Sequence, residues 1–316
     1  MGSAAKLRYH PQRRTCRREN ADQKISVIGA LRMSSQARES LPDRGQVATF
    51  PARRRGAGGV RASGTAGRVL AGISLTLAAG LPSHAGEVCP DNFGVPVRVE
   101  AVDRFGDLVL ADGATVRLAG LSVPGAGETR QMTVLREAAL GREVVLARAK
   151  DGKDRYGRAE ALVRVNGEAT TLQAALLGEG LALARPEPGY LGCMEGFKAA
   201  EAPARQARRG LWAERPVAAR DEARAGAQLG QFTILAGRVL SVGNGRQVDY
   251  LNFGPVWRQD TTARLGKPVR AALEQAGVPL ESLSGQWLAV RGVVVEAGGP
   301  AIDVRWIEQL ELAGAR

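Results

Sequence analysis

From Val97 onward, short alternating runs are each cut off by a turn signal. VRVEAV (97–102) stops at Arg104-Phe105-Gly106-Asp107, and LVL (108–110) stops at Ala111-Asp112-Gly113. Thr115 to Leu118 then forms a third run. Period-two alternation places apolar side chains on one face of a strand, and Asp-Gly between two such runs is a hairpin signal. Met132, Leu135 and Ala139 fall at helical spacing within Thr129–Leu140, which Gly141 can end. Glu143–Ala149 and Ala159–Val165 read as strands on either side of a charged turn, Lys150 to Tyr156. After an Asn166-Gly167 turn come a helix (Thr170–Leu177), a short strand (Leu181–Ala184) and a helical stretch (Glu195–Arg209). Pro203 interrupts that stretch, and Gly210-Leu211-Trp212 ends it. Five short strands with a helix between the third and fourth predict an OB-type barrel.

Two arginines on separate elements of this barrel stand out. Arg117 lies on the third strand and Arg158 closes the charged turn. A planar guanidinium forks onto two phosphate oxygens, so converging arginines suit a phosphate. Asp107 sits in the first turn, where a metal ligand would be useful. Each has a plainer reading: Asp107 as a turn cap, Arg117 as an outward strand residue, Arg158 as a partner for Asp154 or Glu160. Ser122 beside Pro124 reads as a turn hydroxyl.

An Asp-containing turn, RLAGLSVP, a helix, DRYGR, an Asn-Gly turn before a helix and a terminal ARRGLW together resemble the thermonuclease family, the staphylococcal-nuclease-like domains, over about residues 95–213. The resemblance implies an OB-fold Ca²⁺-dependent phosphodiesterase acting on DNA and RNA. It assigns Asp107 as the first acidic metal ligand and Arg117 and Arg158 as the phosphate-binding, catalytic arginines, with Tyr156 of DRYGR beside the substrate. Two positions depart from the pattern. Ser122 stands where the second metal carboxylate belongs, and Gly125 where the family places the glutamate that activates water. Asp107, the Ser122 hydroxyl and the Val123 carbonyl form a poor cage for an ion that takes six to eight oxygens. Loss of a general base typically costs ~10²–10⁴ in rate. Glu128, three residues past Gly125, is the candidate replacement base. Asp103 or Asp112 could supply a second carboxylate.

The formal charge of +12 does not make the whole chain a polyanion binder. Residues 1–85 hold 15 Lys+Arg against 4 Asp+Glu, leaving 29 against 28 in the remaining 231. The basicity is therefore a leader, and any nucleic-acid groove in the body is a local patch. Residues 1–60 lack the apolar content to form a core and are expected to be disordered. Arg61–Arg68, the 13-residue apolar run Val69–Leu81 and small residues before Ala85 describe a signal peptide cleaved after Ala85. The run is too short to span a bilayer, which needs ~20 residues. Such a signal belongs near a chain start, so 1–60 reads as an over-extended start with initiation near Val60.

Cleavage leaves Cys89 and Cys193, expected as a disulfide in an exported domain. Both histidines, His10 and His84, fall in the leader, which excludes Ser-His and Cys-His nucleophiles and histidine-zinc sites in the body.

Residues 214–229 read as a linker, helical in part. From Phe232 the pattern turns to strands: Phe232–Val242, Gln247–Phe253, Gln259–Leu265, a helix at Pro268–Ala276, then long strands at Gln286–Val295 and Ala301–Leu312. Residues 230–316 are thus expected as a second small OB-like β-barrel. Trp287 and Trp306 read as core, and Trp257 as an exposed platform for a base. Arg246, Arg258, Arg264 and Arg291 read as scattered surface arginines or a patch.

The expected molecule is a mostly β protein with helices, secreted or periplasmic, with no membrane span after signal cleavage. Its nuclease-like OB domain (86–213) would bind nucleic acid or another phosphodiester and hydrolyse it weakly or not at all, with at most a weakly held Ca²⁺. The alternatives are an active Ca²⁺-dependent nuclease using Glu128, and a non-catalytic envelope scaffold binding protein or glycan.

Overall fold

The computed structural model describes residues 87–125, 127–256 and 259–312, with the backbone alone at 127–129. The leader and signal expectations, the side chain of Glu128 and all of Trp257 and Arg258 lie outside the described residues. The described residues fall in one compact unit.

The barrel forms from the expected runs. β1 (Val97–Val102), β2 (Leu108–Leu110) and β3 (Thr115–Leu118) make an antiparallel meander. β6 (Arg158–Val165) runs parallel to β3, and β5 (Glu143–Ala147) pairs with both β6 and β1 to close the barrel. Val99, Leu108, Leu110, Val116, Val144, Ala161 and Val163 are buried inside, with Leu135 of the Gly127–Ala139 helix packed against them. Gly106 takes φ +81° in the first turn, where Asp103 Oδ1 accepts the N–H groups of Phe105 and Asp107. Asp103, not Asp107, therefore caps that turn. Thr171 caps the Leu172–Gly178 helix through the N–H of Ala174.

Two features of this half were not expected. The RLAGLSVP stretch contains a strand, β4 (Leu121–Ser122), paired antiparallel with β7 (Leu183–Ala184). The helix Met194–Gln206 also runs through Pro203 without stopping, although proline has no N–H to donate to the carbonyl four residues earlier. Gly120 carries φ +75°, and a Cβ there would lie 2.3 Å from the Phe197 ring. Cys89 and Cys193 are joined, tying the segment before β1 to the start of that helix across 104 residues. In the chain-entropy model such a loop stabilises by ~4–5 kcal/mol.

The second half is a curled half-barrel of eight strands: β8 (Val217–Ala218), β9 (Phe232–Arg238), β10 (Ser241–Gly243), β11 (Val248–Asn252), β12 (Thr262–Gly266), β13 (Trp287–Glu296), β14 (Pro300–Val304) and β15 (Leu310–Leu312). The helix Lys267–Gln275 starts with proline in its first turn. β8 and the helix Glu222–Gly226 place residues of the expected linker in this sheet and its core, with β8 parallel to β9. The run expected as one strand, Ala301–Leu312, breaks between Val304 and Leu310. The side chain of Gln309 is buried there; its Oε1 accepts from Arg305 N (2.7 Å) and Trp306 N (3.2 Å), and its Nε2 donates to Arg291 O and Asp303 O. A buried amide must be satisfied, and turning the chain is how this one is. β15 then folds back onto the first half of β13.

Several side chains differ from expectation. Trp287 is 55% exposed rather than core, and Trp306 is half-buried. Arg291 is not a surface residue: it is 1% exposed and ion-paired. Arg264 pairs with Asp303 at 3.3 Å. The barrel and the sheet meet over Leu183, Ala204, Leu211 and Trp212 on one side and Phe232, Ile234, Ala236 and Ala289 on the other.

Candidate functional site

The parallel pairing of β3 with β6 sets Thr115 opposite Arg158 and Arg117 opposite Glu160. Residues two apart share a face. Val116, Leu118, Ala159 and Ala161 point into the core, so Arg117, Arg158 and Glu160 stand together on the barrel's outer face. Arg158 Nη1 donates to Asp107 Oδ2 at 2.9 Å. Its Nε (2.9 Å) and Nη2 (2.8 Å) both donate to Asp154 Oδ2. Tyr156 is 65% exposed and lies 5.0 Å from the Arg158 guanidinium.

Arg117 is held as firmly. Its Nη2 donates to Glu160 Oε1 (2.8 Å) and to Glu187 Oε1, while Glu187 Oε2 accepts the N–H of Gly120 at 2.8 Å. Glu160 is therefore a partner of Arg117, not of Arg158; Lys150 approaches its other oxygen at 3.5 Å. The sequence reading missed Glu187. The only signal is a lone acid between two prolines, in Arg185-Pro186-Glu187-Pro188 just past β7.

These contacts set the charge states. Burial pushes the Asp107 carboxyl above its usual range, against the opposing pull of Arg158. Burial also disfavours ionised Asp154, but hydrogen bonds from the Arg158 side chain and from backbone N–H groups outweigh it and hold the carboxyl down at about 2. Burial works against the Arg117 cation; Glu187 and Glu160 more than offset it and raise its pKa. Burial likewise raises Glu160, and Arg117 brings it below the usual range.

The structure thus brings Asp107, Arg117, Arg158 and Tyr156 to one face. Ser122 and Val123 follow on β4 and just after it, half-buried. Gly125 sits at φ +61° with open space around its Cα. A glutamate at that position would be strained in this backbone. From Leu121 to Gly125 there is no carboxylate. Among the described residues no group of three or more His, Cys, Asp or Glu could hold a metal ion. Asp107, the carboxylate expected as a metal ligand, is paired with Arg158 at 2.9 Å. One carboxylate, one hydroxyl and one carbonyl are fewer oxygens than the six to eight that Ca²⁺ takes.

Residues 127–214 match the staphylococcal nuclease homologues. The chain carries a staphylococcal-nuclease-like domain. The matched span of the nuclease-like domain contains Tyr156, Arg158, Glu160 and Glu187; Asp107 and Arg117 precede it on the same closed barrel. A comparison with curated proteins returned no match.

Proposed function

We propose that this is an exported protein that binds phosphodiesters, nucleic acid foremost, through Arg117 and Arg158, and hydrolyses them weakly or not at all. The observation that carries this reading is the Arg158–Asp107 ion pair, together with a 121–125 segment that has no carboxylate. The arginines a nuclease needs are assembled; the acids that would hold a cation and activate water are missing or paired off. The Cys89–Cys193 bond supports export, since disulfides persist in oxidising compartments. Among the described residues no helix is long and apolar enough to cross a membrane.

Phosphate must compete with internal carboxylates for both arginines, so affinity at this face alone is modest and falls with salt. The test is single-stranded DNA with the full-length protein in millimolar Ca²⁺, beside Arg158→Ala and Glu128→Gln variants that share the same basic leader. The expected result is salt-dependent binding, weakened by Arg158→Ala, with no cleavage above background. Cleavage lost in both variants would establish the rival reading, an active nuclease with Glu128 as its base. Recovery of a protein or glycan partner without DNA binding would instead favour the envelope scaffold.

A further inference from the structure

A second feature lies next to this face. The loop after β7 and the open side of the half-barrel enclose a cleft of about 310 Å³. That is at the small end of pockets that hold organic ligands. One wall is Arg185 and Pro186; the other includes Val293, Val295, Arg305 and Trp306. Glu187 also lines it, and Glu187 is the residue that binds Arg117. The cleft therefore borders the Arg117 face through Glu187.

Its charges are unequal in a useful way. The two acids in it are already matched, Glu187 by Arg117 and Asp303 by Arg264. Arg185 and Arg305 are exposed, and among the described residues neither guanidinium has a carboxylate within ion-pair distance. The uncommitted charge in the cleft is thus positive. Between these cations lies an apolar surface. Trp306 is half-buried, turned out of the strand path by the break at Gln309, and Val293 is 42% exposed. Cations alone would suit any acidic chain. Cations flanking an aromatic face and an apolar wall suit a chain that alternates phosphates with flat rings.

We propose that this cleft seats a single-stranded nucleic acid, one base stacking on Trp306 and the adjoining phosphates paired with Arg185 and Arg305. The half-barrel then extends the strand's path beyond Arg117 and supplies affinity that the self-paired arginines of the nuclease-like domain lack. The inference rests on the nucleic-acid reading above but engages different residues.

The experiment uses the full-length protein and a single-stranded oligothymidylate carrying 4-thiothymidine, with affinity read by fluorescence anisotropy and contacts by photo-crosslinking and peptide mass. Trp306→Ala should weaken binding about 5- to 150-fold, the equivalent of ~1–3 kcal/mol for one stacked base. The double variant Arg185→Gln/Arg305→Gln changes only exposed positions and decides the matter should Trp306→Ala not fold. Removing the two arginines should reduce the steepness of the log affinity against log salt plot by about 1.4, for two lost phosphate contacts on a single strand. Cross-links should fall on the peptide containing Trp306. If the cleft variants bind like wild type while Arg158→Ala weakens binding, this inference fails and the functional reading stands. If cross-links are confined to residues 1–85 and the cleft variants are unaffected, it fails as well. If the full-length protein binds no oligonucleotide, both fall.

Discussion

Replacing Arg291 with methionine tests whether a buried ion pair locks the half-barrel onto the nuclease-like domain. Arg291 lies on β13 with a side chain 1% exposed. Its Nη1 donates to Ala184 O (2.8 Å) and Glu201 Oε2 (3.1 Å), and its Nη2 to Glu311 Oε2 (3.2 Å). Glu201 belongs to the Met194–Gln206 helix and is itself 3% exposed; its other tie is the N–H of Ala184 at 2.5 Å. Methionine has a similar length, so the loss is chiefly electrostatic and not a cavity. It strands a carboxylate in the interface with one hydrogen bond, while Glu311 keeps Arg205. Breaking a buried pair in this way costs ~3–5 kcal/mol. Removing both charges in Glu201→Gln/Arg291→Met should recover at least ~2 kcal/mol of that, because no uncompensated charge remains.

The pH dependence supplies a second readout. Burial already raises the Glu201 pKa, and Arg291 opposes that rise. Without Arg291 the folded pKa climbs further above its unfolded value. The ionised form then destabilises the fold, and the deficit is relieved as pH falls through the raised pKa. Urea unfolding at pH 7 and pH 5 measures both effects. A single-variant loss below ~1 kcal/mol, a deficit of equal size at both pH values, or a double variant no better than the single would refute the argument.

Other perturbations have equally direct outcomes. Asp107 is held above its usual pKa by burial, so it protonates before Asp154 as pH falls, whereas Asp154 stays ionised down to about 2. Protonation removes a negative charge from Arg158, so affinity for a phosphodiester should rise as pH falls through the raised Asp107 pKa. Asp107→Asn should show that gain, about five-fold for ~1 kcal/mol of screened repulsion, already at pH 7 and without pH dependence; an affinity that falls in the variant would contradict it. Reducing the Cys89–Cys193 bond, or replacing both cysteines with serine, should lower stability by ~4 kcal/mol in chemical denaturation, and an unchanged midpoint would be incompatible with the loop-closure argument. Gly120→Ala meets both a positive φ and the Phe197 ring, so a destabilisation of ~1–3 kcal/mol is expected, partly relieved in combination with Phe197→Leu. Trp212, 1% exposed between barrel and sheet, should cost ~3–5 kcal/mol on truncation to alanine, measured by thermal unfolding.

Much of the nuclease-like domain is readable from local pattern. The faces of β1, β2, β3 and β6 follow from period-two alternation, the turns from Asp112-Gly113 and Asn166-Gly167, and the disulfide from two cysteines outside the leader. Arg117 and Arg158 stand out in the sequence, but it is the resemblance to the nuclease family, not local pattern, that gives them a role. What holds them was not legible there. Glu187 reaches Arg117 from 70 residues away, and nothing in Arg185-Pro186-Glu187-Pro188 states where that loop lands. The same limit explains Arg291, Trp287 and Gln309. Alternation along a strand says which side chains share a face. Whether that face meets solvent, a helix carrying Glu201, or a strand folded back on itself depends on elements distant in the chain. Burial and ion pairing are properties of the assembled layers, and so is the cleft between Arg185 and Trp306. The chain sequence specifies the two chemistries that line it, but only packing the half-barrel against the nuclease-like domain brings them within reach of one ligand.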